Sequence, residues 1–252
     1  MIVTREITYE VDGLTMIAHL ARPSGTGPSP AVLIGHDGIG LEDYQRGRAD
    51  ILAEHGYIAL AMDYHAGRTY FGDPQAMLAR VMPLLADSTR MHAIGRAALD
   101  VLLDVPGVDH DQLAALGYGA GGSIMLELAR AKAPFKALAA VHPGVPAAHT
   151  EDWTDVRGAF LLCTGSEDPL CTPAQLMEFA GALQKAGADW TVNIYGGAKH
   201  AFWADPTELA GSSTGDSAAT VPGVGHHALA STRAWQAVLD LLDEVFAAGR
   251  VV

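Results

Sequence analysis

The spacing of apolar residues changes several times along this chain. Residues 3–11 and 14–22 alternate polar and apolar side chains and meet at Asp12-Gly13. Asp-Gly between two such runs predicts a hairpin with a tight turn. Gly25 to Pro30 reads as a loop, and the pattern then shifts to short continuous apolar runs. These cover 31–34, 57–62, 113–116, 137–141 and 159–163, with a more alternating run at 190–195. Between them lie stretches of helical period at 43–55, 73–87, 89–104, 123–132 and 173–186, and a last one at 226–248. In that last helix Leu229, Trp235, Val238, Leu241, Leu242 and Val245 form one broad apolar face. Residues 205–224 are rich in Gly, Ser, Thr and Ala and have no period.

Runs that are apolar throughout, flanked by helices, predict a parallel sheet covered on both faces. The expectation is an α/β fold with an eight-stranded, mostly parallel sheet. The 252 residues suit one large or two small domains. No linker or repeat divides them, so 1–252 is read as one domain. In such sheets ligands bind outside the carboxyl ends of the strands. The chemistry is therefore sought at His36-Asp37-Gly38, at 117–122, at 165–169 and at 196–200.

The turn Gly117-Tyr118-Gly119-Ala120-Gly121-Gly122 has two readings. It matches the dinucleotide fingerprint G-x-G-x-x-G, but that motif needs an acid about 20 residues later to hold a ribose hydroxyl. Here the next strand ends in Val141-His142-Pro143. The second reading is a nucleophile elbow centred on Gly119, a sharp turn from strand to helix. An acid at Asp168 and a histidine at His200 then follow in the chain order of the α/β-hydrolases.

At these motifs the sequence resembles the dienelactone hydrolases, a cysteine-using branch of the α/β-hydrolase fold. The resemblance covers nearly the whole chain. It rests on His36-Asp37-Gly38-Ile39-Gly40-Leu41, Ala61-Met62-Asp63-Tyr64-His65, the 117–122 turn, Gly165-Ser166-Glu167-Asp168-Pro169 and Tyr195-Gly196-Gly197-Ala198-Lys199-His200-Ala201-Phe202. It implies that Asp168 is the triad acid and His200 the base. The backbone N–H groups of Gly38 and Ala120 would be oxyanion donors, and Asp37 stands where the family usually has Glu. Apart from the resemblance, Ile39, Tyr64, Phe202 and Trp203 are candidate substrate contacts, with Phe202 and Trp203 suggesting an apolar pocket or, alternatively, core packing. The family elbow reads G-x-C-x-G-G, whereas this chain has Gly119 at the nucleophile position. Family members clamp a substrate carboxylate with arginines, one of them just past the histidine. No basic residue lies between Lys199 and Arg233, which points away from a dicarboxylate-like substrate.

Composition narrows the partners. The chain has 29 acids against 16 bases and a formal charge of −13, with no basic run to gather an anionic polymer or membrane. A small-molecule ligand is expected, with no nucleic acid, no membrane, no cofactor and no metal. The two cysteines make no disulfide framework and match no metal-ligand spacing. Cys163 reads as a buried hydrophobe, Cys171 as a remote alternative nucleophile and Ser123 as a capping or packing residue. His142 reads as packing, and His226-His227 as a solvated helix start. The N-terminus lacks the pattern of a signal peptide, so a cytoplasmic location is expected.

Three functions stay open. The first is an enzyme without a covalent nucleophile, acting on a small, apolar ester, lactone or related carbonyl compound. It would work by His/Asp acid–base chemistry, as a hydrolysis or as an elimination or cyclisation. The second is a non-catalytic protein that binds a small molecule. The third is a cysteine hydrolase whose nucleophile was removed by design. The sequence leaves the oligomeric state open.

Overall fold

The computed structural model describes residues 1–25, 27–145, 153–203 and 223–247. Eight strands form one sheet: β1 (Ile2–Val11), β2 (Leu14–Pro23), β3 (Ser29–Gly35), β4 (Ile58–Met62), β5 (Val108–Tyr118), β6 (Phe135–Val141), β7 (Ala159–Gly165) and β8 (Asp189–Tyr195). Their order across the sheet is β1-β2-β4-β3-β5-β6-β7-β8. β1 pairs antiparallel with β2, and β2 with β4; every later pairing is parallel. The opening hairpin turns at Asp12 and Gly13, both with positive φ (52° and 73°), as a tight two-residue turn requires.

Among the described residues six helices flank the sheet: α1 (Asp43–Glu54), α2 (Pro74–Leu85), α3 (Ser88–Leu103), α4 (Ala120–Arg130), α5 (Pro173–Lys185) and α6 (Ala228–Ala247). Their starts are encoded locally. Asp73 and Asp87 cap α2 and α3 by accepting the N–H of Ala76 and Arg90. Thr172 and Gln175 form a capping box on α5, with Pro173 at its first turn. The core lies in two layers. On one face Ile94, Leu99, Ile124, Leu128, Leu176 and Phe179 of α3, α4 and α5 pack on the sheet. On the other, Leu52 and Ala53 of α1 and Ala234, Val238 and Leu242 of α6 do so. Among the described residues no helix is long and apolar enough to cross a membrane.

Several sequence expectations need correction. β5 begins at Val108, before the apolar run at 113–116, because its first residues extend beyond the buried part of the sheet. α4 begins at Ala120, directly after the elbow, and not at 123. Leu229 is exposed; the buried positions of α6 are Ala230, Ala234, Val238, Leu242 and Phe246, a run of every fourth residue.

Candidate active site

The carboxyl ends of β3, β5, β6 and β7, with the loop after β8, converge on one place. Its centre is Gly119, between β5 and α4. Gly119 has φ 50° and ψ −120°, a backbone conformation that costs a non-glycine residue about 1–3 kcal/mol. The helix start reaches deep because Gly121 has no side chain: a Cβ there would collide with the carbonyl of His36 and the backbone of Gly35. Gly121 N–H instead donates to His36 O at 2.9 Å. Close approach of β3 and α4 thus places Asp37 and Gly38 beside the elbow. A Cβ built on Gly119 would lie 3.2 Å from Asp37 Cβ, 3.4 Å from His142 Cε1 and 3.6 Å from His142 Nδ1.

His200 Nδ1 donates to Asp168 Oδ2 at 2.9 Å and lies 3.1 Å from Oδ1. Asp168 is fixed in turn, because its Oδ1 accepts the N–H groups of Leu170 and Cys171, each at 2.8 Å. With Nδ1 carrying the proton, His200 Nε2 is left as an acceptor. The residues after β8 are pinned by backbone pairing: His200 N–H donates to Gly223 O, and Gly225 N–H donates to His200 O. Of the unperiodic segment 205–224 only Gly223 and Val224 are described; the rest lies outside the described residues.

Asp37 is buried, and burial pushes its carboxyl up to about 6. The Ile39 N–H, donated to Asp37 Oδ1 at 2.8 Å, works against that rise, as do the charges of His36 and His200 and the Trp203 indole nearby. Trp203 Nε1 is buried and makes no hydrogen bond of good geometry, so its help is weak. Ala120 opens α4, where the N–H groups and the helix dipole favour negative charge. Among the described residues no acceptor engages the N–H of Ala120 or Gly38.

The substrate-contact expectations fare unevenly. Tyr64 is corrected: it is fully buried, stacked on His36 at 3.7 Å, and its hydroxyl lies 2.9 Å from His36 O and 2.7 Å from Asp37 O as their donor. It braces the loop that carries Asp37 and has no surface to offer a ligand. Behind it, His65 Nε2 donates to Gly38 O at 3.1 Å, and Arg80 donates to Tyr64 O at 2.8 Å. Phe202 and Trp203 are fully buried as well. Trp203 packs on Tyr44 and Tyr118, and Phe202 on Tyr195 and His142, so like Tyr64 neither offers a surface to a ligand. Ile39 is half-buried on the loop rim.

Both cysteines are buried, and burial pushes each thiol up to about 12, so neither is a thiolate near neutral pH. Ser123 donates to Gly144 O at 2.8 Å, a tie between α4 and the loop after β6. His227 Nδ1 accepts the Ala230 N–H at the start of α6. Among the described residues no three His, Cys, Asp or Glu side chains gather as a metal site.

His142, read from the sequence as packing, packs against His200 and Phe202. It is fully buried, with its ring 4.5 Å from that of His200 in an edge-on arrangement. Neither ring nitrogen has a hydrogen-bond partner, and burial holds the ring well below the usual histidine pKa, hence neutral. Its φ of 43° is a left-handed conformation. Strain of about 1–3 kcal/mol and a buried unpaired polar group at about 1–3 kcal/mol both count against it.

A family model of the dienelactone hydrolases matches residues 16–246. The chain belongs to the dienelactone hydrolase family. It is 35% identical to a solved structure named m3DLH, covering 97% of this chain and 98% of that one, with a TM-score of 0.84. It is 30% identical to P91, a dienelactone hydrolase-like promiscuous phosphotriesterase from metagenomic libraries, over 97% of this chain and 98% of that one (TM-score 0.86). A probable 2-oxo-3-(5-oxofuran-2-ylidene)propanoate lactonase of Bradyrhizobium is 28% identical over 199 residues, 76% of this chain and 80% of that protein.

Proposed function

We propose that this protein hydrolyses a small, apolar ester or lactone without forming a covalent intermediate. The observation that carries the reading is the His200–Asp168 pair at 2.9 Å, set beside an elbow whose central residue has no side chain. A base and its orienting acid need a nucleophile; Gly119 offers no side chain at the centre and both thiols are buried, so among the described residues the part falls to water. His200 Nε2 takes a proton from water as its oxygen bonds to the carbonyl carbon. The carbonyl electrons move to oxygen, and the N–H groups of Gly38 and Ala120 stabilise that oxyanion. The tetrahedral species then expels its alkoxide, which takes the proton back from His200. Asp37, titrating at about 6, is a second group able to give or take a proton near neutral pH. When a triad loses a member, the oxyanion hole and substrate binding alone retain about 10³–10⁴-fold catalysis over water.

The relatives support the substrate class: one is named a lactonase and another a promiscuous phosphotriesterase. A dinucleotide at the 117–122 turn is disfavoured, because Asp37 would set a carboxylate against a pyrophosphate.

The test compares 4-nitrophenyl ester hydrolysis by the parent, Gly119→Cys, Gly119→Ser and His200→Ala. Parent turnover that His200→Ala abolishes supports the proposal. No parent turnover, with rescue by cysteine, identifies a hydrolase whose nucleophile was lost or removed. No turnover in any variant, with a ligand still bound, identifies a binding protein.

A further inference from the structure

The direction of a backbone N–H is set by the carbonyl it is bonded to. In a planar trans peptide the two point opposite ways, and no peptide among the described residues is cis. For the Gly38 N–H that carbonyl belongs to Asp37. Asp37 O accepts from two buried side chains: His36 Nδ1 donates at 2.5 Å, and the Tyr64 hydroxyl, shared with His36 O, lies at 2.7 Å. The Gly38 N–H is therefore left on the far side of the peptide from His36 and Tyr64. The two donors are themselves held. Their rings stack at 3.7 Å, and both side chains are fully buried. His36 Nε2 accepts the Tyr64 N–H at 3.4 Å, which leaves the ring proton on Nδ1, facing Asp37 O. Beside Tyr64, Asp63 accepts the N–H groups of Ile17, His65 and Gly67 at 2.9, 2.7 and 2.6 Å. The peptide that follows Gly38 is tied at both ends. His65 Nε2 donates to Gly38 O at 3.1 Å, and the Ile39 N–H donates to Asp37 Oδ1 at 2.8 Å. Turning the Asp37–Gly38 peptide over would strip a buried carbonyl of both partners.

We propose that His36 and Tyr64 are positioning residues that aim and polarise the Gly38 N–H as an oxyanion donor. This rests on the reading of Gly38 and Ala120 as the oxyanion donors. A carbonyl that accepts hydrogen bonds polarises its own amide, so the N–H across the same peptide becomes a stronger donor. Buried polar side chains are costly unless paired, and here both pairings converge on one carbonyl. Neither side chain touches substrate, and neither gives up its proton. Their effect is in place before the reaction, in an amide already turned to where charge develops.

Two readouts test this. Removing an oxyanion donor outright costs about 10²–10³ in kcat; Tyr64→Phe removes one of the two bonds behind it and is expected to lower kcat about tenfold, with KM within about twofold. His36→Leu is expected to lower kcat likewise, and His36→Asn, whose amide nitrogen can stand in for Nδ1, to recover part of the loss. Should the His36 variants not fold, Tyr64→Phe decides alone. The second readout separates aiming from mere support. A phosphonate monoester anion imitates the tetrahedral oxyanion, and a neutral amide with the same substituents imitates the ground state. At pH 5 Asp37, titrating at about 6, is mostly uncharged; there Tyr64→Phe is expected to weaken phosphonate binding about tenfold and amide binding less than about twofold. Equal weakening of both, weakening of neither, or a parent that binds no phosphonate overturns the proposal. So does parental kcat in Tyr64→Phe while His200→Ala is inactive, an outcome that leaves the catalytic reading standing. If His200→Ala keeps parental turnover, or the parent has none, the catalytic reading fails, and the phosphonate comparison alone decides the role of His36 and Tyr64.

Discussion

Asp37→Asn separates the electrostatics of the site from its shape. The carboxyl of Asp37 is raised from 3.8 to about 6 by burial. A raised carboxyl means that the folded state holds its proton more tightly than the unfolded chain does. The stability this contributes is fully present below about 3.8 and is lost as pH rises through about 6. A shift of about two pH units corresponds to about 3 kcal/mol at pH 8. Asparagine keeps the shape and can still accept the Ile39 N–H, but it has no charge to bury. The variant should therefore gain stability relative to the parent by about 3 kcal/mol between pH 4 and pH 8. At about 2–4 °C per kcal/mol for a chain of this size, that is roughly 6–12 °C in Tm. The assay is thermal unfolding of both proteins at several pH values. The pH-dependent part of the difference is decisive, because a fixed cost of placing an amide cancels between pH values. A difference flat from pH 4 to 8, or one shrinking as pH rises, would refute the burial argument.

Other expectations follow from the same geometry. Gly119→Ala should lower Tm, since its φ of 50° and the 3.2 Å approach to Asp37 Cβ both oppose a side chain; a loss of about 1–3 kcal/mol is expected, and an unchanged Tm contradicts elbow strain. Tyr64→Phe removes the donor shared by two carbonyls of the Asp37 loop; denaturant unfolding should show a loss of about 1–3 kcal/mol. Burial lowers the His65 ring from 6.5 to about 3, so the folded state resists its protonation and stability falls as pH drops from about 6.5 toward 3. His65→Gln should flatten that acid limb in a pH series of melts. If Asp37 takes part in proton transfer, the pH profile of kcat/KM has an inflection near 6 that is absent in Asp37→Asn.

The sheet was legible because its inner strands are apolar runs, whereas most of its helices keep a polar face. The strand order placed Asp168, His200, Asp37 and Gly119 at the same end of the sheet, and the structure brings them together. Period cannot show where a strand continues past the covered part of a sheet, so the start of β5 was missed. Nor can it show which apolar residues face inward at a helix end, hence Leu229. The surroundings of Tyr64 and the unpaired nitrogens of His142 were illegible for one reason. Whether a polar ring is used up by backbone carbonyls or left unpaired is decided by packing between β3, β4 and β6, which no local pattern records. Tyr64 spends its hydroxyl on His36 and Asp37, while His142 spends neither nitrogen.

Intact-mass spectrometry of the parent during turnover of an activated ester tests the central claim most directly. The account predicts sustained hydrolysis with no increase in protein mass equal to one acyl group. It also predicts that turnover falls by roughly 10²–10⁴-fold in His200→Ala, the usual contribution of a general base. An acyl adduct on the parent, or equal hydrolysis by His200→Ala, would contradict it.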